Sequence, residues 1–138
     1  MKTQLLKFPL ALALAMLFGC SSSPKIDIQA QLTRFKTGDQ VAREEALVEI
    51  AKAGPKAEPA MPTLVEALKD KDALIRRLAL HALGEIGPKA KSALPAIKAL
   101  MNDTDQQVLL QIPATLQNID PKTEGAEKFP NVQTPPPQ

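Results

Sequence analysis

Apolar residues recur along this chain with helical spacing, and the same pattern is repeated three times. In residues 42–53, 75–86 and 108–119 they fall at i, i+4, i+8 and i+11, which is one side of an α-helix. A second apolar stripe lies in residues 28–35, 61–68 and 94–101, between these segments or before them. The pattern therefore predicts helices in pairs. The first stripe comprises Ala42, Ala46, Ile50, Ala53, Ile75, Ala79, Leu83, Ile86, Val108, Ile112, Leu116 and Ile119.

A short motif separates the two helices of each pair. "GPKA" begins at Gly54 and at Gly87, and "DPKT" begins at Asp120, so the period is 33 residues. Each glycine directly follows the first stripe, where a helix commonly closes with a left-handed residue, and the proline after it stops the helix. We expect Asp120 to adopt the same conformation as the two glycines. The motif thus predicts an elbow between helices.

A period of this length is typical of stacked helical repeats. The predicted fold class is all-α, a short α-solenoid of antiparallel helix pairs, with about two and a half repeats of 33 residues over residues 25–120. Residues 121–138 form a C-terminal extension, for which the proline-rich sequence predicts disorder from about residue 130.

Aspartates recur at the junctions between units, as Asp70 with Asp72 and as Asp103 with Asp105. Two interpretations are open: a metal-binding doublet, or a cap on the helix that follows. Asp72 and Asp105, like Asp39 in the first unit, directly precede a first helix, where aspartate is a favoured N-cap. Two carboxylates in a turn without further oxygen ligands make a poor calcium site. The capping interpretation is favoured, and no metal site is predicted.

The second unit carries a resemblance to a known family. The stretch "LIRRLALHALGEIGPKAKSALPAIKALMND" resembles the HEAT repeat, specifically the phycobilisome-lyase HEAT-like type. The similarity covers about residues 25–120 and implies stacked helix pairs, while saying little about function. The family's name adds one enzymatic alternative, a bilin lyase-like enzyme or accessory subunit. The matching residues are Ile75-Arg76, Ala82-Leu83, Gly84-Glu85-Ile86-Gly87 and Met101-Asn102-Asp103.

The N-terminus has the anatomy of a secretory signal. Lys2 and Lys7 flank the apolar run Phe8–Phe18, whose eleven residues fall short of the roughly 20 that span a bilayer. The run ends in Leu-Phe-Gly-Cys, which resembles the lipobox of bacterial lipoproteins and implies lipidation of Cys20. We therefore expect a signal peptide over residues 1–19, followed by the lipidated cysteine and a short linker over residues 20–24.

Composition narrows the classes of partner. Residues 1–19 contain two of the 17 basic residues and none of the 15 acidic ones, so the remaining chain is neutral. Its only aromatic residues are Phe35 and Phe129, which leaves neither the basic surface nor the stacking platforms of nucleic-acid binders. His81 is the only histidine and Cys20 the only cysteine. No catalytic, cofactor, metal or small-molecule site is predicted, and the protein is not expected to be an enzyme.

The terminal units depart from the central one. Glu45 and Glu49 stand where the second unit has Leu78 and Ala82, as expected of an N-terminal cap. At the other end Leu109 and Leu110 replace two arginines, and a proline at position 113 is expected to bend the helix. Either the segment 121–130, with Phe129, covers this apolar end, or another protein binds there.

These features predict a non-catalytic protein-interaction or assembly module at a bacterial membrane. The membrane is reached through lipid on Cys20, and Ser21 after it favours the outer membrane. Besides Leu109 and Leu110, the candidate partner-binding residues are Thr33, Glu66 and Lys69 on the second helices. The alternative is a structural envelope lipoprotein without a dedicated partner.

Overall fold

The computed structural model describes residues 25–123. The predicted all-α solenoid is confirmed: this part of the chain forms six α-helices and three 3₁₀ helices, without strands. The predictions for residues 1–24 and 124–138, including the signal peptide, Cys20 and the disordered tail, lie outside the described residues. The elements are α1 (Ile28–Thr37), α2 (Gln40–Lys52), the first elbow helix (Gly54–Ala60, 3₁₀), α3 (Met61–Ala67), α4 (Ala73–Ile86), the second elbow helix (Gly87–Ala93, 3₁₀), α5 (Leu94–Ala99), a 3₁₀ turn (Leu100–Asn102) and α6 (Gln106–Ile119).

Helices α2, α4 and α6 lie side by side, with α4 in the centre packed against both others. Helix α1 packs on α2, and α3 and α5 pack beneath the row. The first apolar stripe forms the core as predicted. Of its twelve positions only Ala42 and Ala53, both in or next to α2, are partly exposed.

Aspartates cap four of the six α-helices in the described chain, three of them as predicted. Asp39, Asp72 and Asp105 each occupy the N-cap and accept a backbone N–H from the first turn. Asp27 does the same for α1, which the sequence reasoning missed. Within residues 25–123 no group of acidic, histidine or cysteine side chains is arranged to hold a metal ion.

The aspartates two positions earlier have a different role. Asp103 accepts two hydrogen bonds from the Arg76 guanidinium, at 2.7 and 2.8 Å, and one unit earlier Asp70 accepts a single hydrogen bond from Arg43. Arg76 also donates to the backbone oxygens of Asp70 and Lys71. One arginine therefore ties the end of one unit to the end of the next.

These ion pairs change the acidity of both carboxylates. The Arg76 hydrogen bonds outweigh the opposing effect of burial and hold the pKa of Asp103 below its ordinary value. For Asp70, burial acts to raise the pKa, but the backbone N–H of Asp72 and the Arg43 guanidinium together lower it. Asp103 and Arg76 have side chains only 6% and 13% exposed, so their pairing is shielded from solvent.

The backbone of the elbows requires glycine. At Gly87, however, the conformation is not the left-handed helical one that the sequence predicted. Gly54 has φ +55° and Gly87 has φ +69°, and these are the only positive φ values in the described chain. The ψ of Gly87 is −140°, which lies in a region that glycine alone occupies without strain. Each elbow continues as a seven-residue 3₁₀ helix rather than a simple turn.

The expectation for Asp120 is wrong. Its φ and ψ are −153° and 102°, which is extended backbone. An L-residue at positive φ is sterically disfavoured, and Asp120 instead accepts the N–H of Lys122 at 3.1 Å, closing a turn with its own side chain. That hydrogen bond is the first cause of the lowered pKa of Asp120, with Lys91 adding to it. At its first residue, Asp120, the third copy of the motif therefore differs in backbone conformation from the first two.

Helix α6 runs from Gln106 to Ile119 without ending at Pro113. The buried hydroxyl of Thr115 lies within hydrogen-bond distance of the backbone oxygens of Leu80 and Gln111, both at 3.1 Å, and so can link α6 to α4. Gly84 lies opposite Thr115, and a Cβ at Gly84 would be at ordinary contact distance, 3.5 Å, from the Thr115 Cα.

Candidate partner-binding surface

An open groove of about 730 Å³ runs over the outer side of α2, between α1 and α4. Helix α1 reaches it because only Gly38 and Asp39 separate α1 from α2, so the two helices run antiparallel. The lining residues come from all three helices: Gln31, Arg34, Glu44, Glu45, Val48, Glu49, Lys52, Leu74 and Leu78. We call this the outer groove.

The floor of the outer groove is apolar although it lies outside the main stripe. Val48 is 38% exposed, and Leu74 and Leu78 of α4 are half-buried beside it. Val41, one heptad before Val48 on the same helix, is 61% exposed. Within residues 25–123, Val41, Val48 and Leu110 are the exposed large hydrophobic side chains. Two of the three therefore lie on the outer side of α2.

Charged side chains form the walls of the groove. Arg34 of α1 pairs with Glu45, and Lys52 pairs with Glu49 at 2.7 Å. Glu44 accepts a hydrogen bond from the Gln40 amide at 2.8 Å and has no ion-pair partner in the described chain. The groove therefore holds three carboxylates against two cations, both of which are already paired.

A smaller groove of about 310 Å³ continues along α2 and α4, sharing Val48 and Lys52 with the first. His81 and Glu85 line its far wall, with 3.9 Å between His81 Nδ1 and Glu85 Oε1. His81 is exposed. Val48 thus lies where the two grooves meet.

The residues predicted to bind a partner lie elsewhere. Thr33, Glu66 and Lys69 are all exposed, and none of them lines the outer groove. On α6, Leu110 is 39% exposed, whereas Leu109 is half-buried against the core. Their role in binding remains a prediction.

Sequence reasoning missed the outer groove because it followed only the main apolar stripe. Val41 and Val48 are seven residues apart, and the same two positions one unit later are Leu74 and His81. The apolar pair Val41 and Leu74, at equivalent positions off the core stripe, was the available signal. Glu45 and Glu49 were interpreted only as a polar cap, whereas they form ion pairs within the wall of a groove.

The described helices also bear on membrane insertion. Over residues 25–123, no helix combines the length and the apolar character that a bilayer crossing requires.

The paired helices, glycine elbows and capping aspartates define a short helical-repeat solenoid. The family model that describes HEAT repeats matches residues 28–119, which is two thirds of the chain. The chain therefore belongs to the HEAT-repeat family, whose repeats commonly mediate protein–protein interaction. No curated protein matches it.

Proposed function

We propose that this protein is a lipid-anchored, non-catalytic interaction module of the bacterial cell envelope that binds a protein segment in the outer groove. The observation that carries the proposal is Val48, a solvent-exposed apolar side chain at the meeting point of two grooves in a HEAT-repeat protein. Apolar side chains in a concave surface with a charged rim are the usual anatomy of a peptide-binding site.

The charges of the groove indicate the chemistry of the partner. Arg34 and Lys52 are each satisfied by a glutamate, so the unpaired carboxylate of Glu44 sets the local preference. A segment that places an apolar side chain on Val48 and a lysine or arginine beside Glu44 would fit both features. The partner in this proposal is a protein segment with that pattern.

Lipid on Cys20 would hold the module close to its membrane. The residues Ser21–Lys25 extend at most about 18 Å, so partners would be met at the membrane surface. The destination favoured by Ser21 is the periplasmic face of the outer membrane.

Photocrosslinking in intact cells tests the binding proposal. A photoreactive residue at Val48 should give a discrete adduct with one protein, and Val48→Glu should weaken capture by a probe placed at Leu74. Val41→Glu is the matched control, because Val41 is on the same helix but does not line the groove. Probes at Leu110 and Glu66 examine the two surfaces predicted from the sequence. If none of the probes gives an adduct while the protein is present at its membrane, a structural envelope lipoprotein becomes the better interpretation.

The anchor requires its own test. Cells grown with a clickable fatty acid should label the wild-type protein and leave Cys20→Ser unlabelled and in the soluble fraction. Equal labelling of both would contradict lipidation at Cys20.

The enzymatic alternative predicts a change in absorption when the protein is mixed with a bilin and an acceptor protein, and we expect none.

A further inference from the structure

The outer groove continues across α4 into a further groove. This groove, of about 180 Å³, lies between α4 and α6, and we call it the α4–α6 groove. Leu74 lines both the outer groove and the α4–α6 groove. The two therefore form one surface that crosses α4 at Leu74. The α4–α6 groove is lined by Ala73, Leu74, Arg77, Asp105 and Gln107.

Arg77 is an arginine that the fold leaves without a carboxylate. The chain has four arginines, and the other three, Arg34, Arg43 and Arg76, each pair with an acidic side chain. Arg77 is half-buried, yet no ion pair joins it to a residue of the described chain. Asp105 lines the same groove but accepts the backbone N–H groups that begin α6. A half-buried guanidinium with free donors favours a carboxylate supplied from outside.

The helical repeat does not require this arginine. The arginine one position earlier recurs, as Arg43 and Arg76, and ties successive units together. The position of Arg77 varies from unit to unit, with Glu44 in the first and Leu110 in the third. The charge at Arg77 is therefore a property of this surface and not of the repeat.

A negative site lies at the equivalent position of the neighbouring helix. Glu44 precedes Arg77 by 33 residues, so the two occupy the same place on α2 and α4. The Gln40 amide donates to Glu44 at 2.8 Å and to Asp72 at 2.7 Å, which brings two carboxylates together beside the N-terminus of α4. Neither carboxylate has an ion-pair partner within residues 25–123. The surface therefore presents a negative site, the apolar Leu74 and a positive site.

We propose that the partner segment crosses α4 in an extended conformation, placing a basic, an apolar and an acidic side chain at alternate positions. The basic side chain binds Glu44 and Asp72, the apolar one covers Leu74, and the acidic one binds Arg77. The inference rests on the proposed function and adds the acidic residue and its spacing to the partner's sequence pattern.

The spacing follows from the dimensions of helices and strands. Packed helices lie about 8–10 Å apart. Side chains on one face of an extended segment are two positions apart, and four residues cover about 13 Å. Long basic and acidic side chains at the first and fifth positions can lean inward to reach Glu44 and Arg77. The third position then lies over Leu74.

Peptide selection on the full mature chain tests this pattern. A displayed library of random peptides is selected on the wild-type chain and counter-selected on Val48→Glu, so that the retained peptides depend on the outer groove. We expect these peptides to share a basic, an apolar and an acidic residue at alternate positions. The tightest of them, with a fluorescent label, is the probe for measuring Kd.

Charge reversal identifies the contact at Arg77. Arg77→Glu should raise the Kd of the probe at least about tenfold. Changing the acidic residue of the probe to lysine should restore most of the binding to Arg77→Glu while weakening binding to wild type. Arg77→Gln, which adds no repulsion, should raise the Kd several-fold. Lys98→Glu on α5 is the matched control, because it changes the net charge equally and Lys98 lines neither groove.

The outcomes separate this inference from the proposed function. If Val48→Glu abolishes probe binding while Arg77→Glu and Lys98→Glu have equal effects, the outer groove binds a partner but the crossing of α4 is wrong. If no selected peptide depends on Val48, both proposals are wrong. Dimers of the mature chain that Arg77→Glu dissociates in sedimentation would also contradict the inference, because the occupant would be a second copy.

Discussion

At the scale of single residues, the two glycines of the elbows show how strongly one backbone conformation constrains a repeat. At Gly87 the hypothetical Cβ would be 3.8 Å from the Asn118 oxygen, so there is room for a side chain. The constraint is therefore the φ of +69° with its ψ of −140°, and not crowding. Gly84, three residues earlier, lies in a regular helix with ordinary space around it.

We expect Gly87→Ala to lower the free energy of unfolding by about 1–3 kcal/mol, the range for strained backbone conformations. Gly84→Ala is the matched control. Its Cβ would meet Thr115 Cα at 3.5 Å, an ordinary contact, and alanine favours a helix over glycine by about 1 kcal/mol. In urea unfolding, Gly87→Ala should therefore lower the free energy of unfolding, whereas Gly84→Ala should raise it or leave it unchanged. Equal losses in both variants would argue that crowding, rather than φ, decides.

The shielded pair of Arg76 and Asp103 predicts a specific pH dependence. Because the pKa of Asp103 is lowered in the folded state, its stabilising effect is complete above the unfolded-state pKa of about 3.9 and is lost as the pH falls through the folded value. Asp103→Asn should lower the free energy of unfolding by about 1.5–3 kcal/mol at pH 7, since it removes the charged acceptor of two Arg76 hydrogen bonds while those to the backbone oxygens of Asp70 and Lys71 remain.

The measurement is the free energy of unfolding between pH 2 and pH 7. Wild type should lose stability on acidification more steeply than Asp103→Asn, with the curves converging at low pH. In the Arg76→Met background, Asp103→Asn should have a much smaller effect. Parallel curves for wild type and Asp103→Asn would contradict this account.

At the scale of elements, α4 lies in the centre of the array and α1 lies at its N-terminal end. Seven residues of α4 are buried, and the helix packs against neighbours on both sides. Only Leu32 and Phe35 of α1 are buried, at 9% and 8% exposure. The Arg43 guanidinium over the Phe35 ring, 4.9 Å from its centroid, and the Arg34–Glu45 pair add to this thin contact.

Native-state hydrogen exchange should reflect this difference. We expect the amides of α1 to exchange at least about tenfold faster than those of α4, because opening one terminal helix exposes little core, and a tenfold change corresponds to ~1.4 kcal/mol. Phe35→Ala should accelerate α1 further without affecting α4. Uniform protection of both helices would mean that the array opens only as a whole.

The helices were largely predictable from the sequence because the apolar stripes and the 33-residue period indicate which side of each helix is buried. The contacts at the junctions between units were not predicted. The pairing of Arg76 with Asp103 could have been inferred from its recurrence as Arg43 with Asp70, 27 residues apart in each unit. Asp120 was misjudged because a residue that tolerates positive φ does not adopt it when its side chain closes the turn another way. The outer groove is formed by residues of three helices, so the apolar stripe of any one helix could not predict it.

At the scale of the whole molecule, the question is whether about two and a half units suffice for a stable fold. The core is continuous from Leu32 in α1 to Ile119 in α6. Repeats of this kind become stable only when neighbouring units bury a shared core.

The unlipidated chain from residue 21 should therefore be monomeric and strongly helical, and should unfold cooperatively. Far-ultraviolet circular dichroism with urea titration, together with sedimentation analysis, checks this. A weakly helical spectrum that strengthens with protein concentration would show that the fold requires a second molecule.

The ion pair that repeats from unit to unit also determines where this array can grow. An extra copy of residues 73–105 inserted after Asp105 would bring its own arginine, aspartates and glycine elbow, and each would find the neighbours that the native second unit has. The same copy added after α6 would find Leu109 where an arginine is needed. We therefore expect an internal duplication to preserve the repeating ion pair, whereas an extension at the end would lack it next to α6.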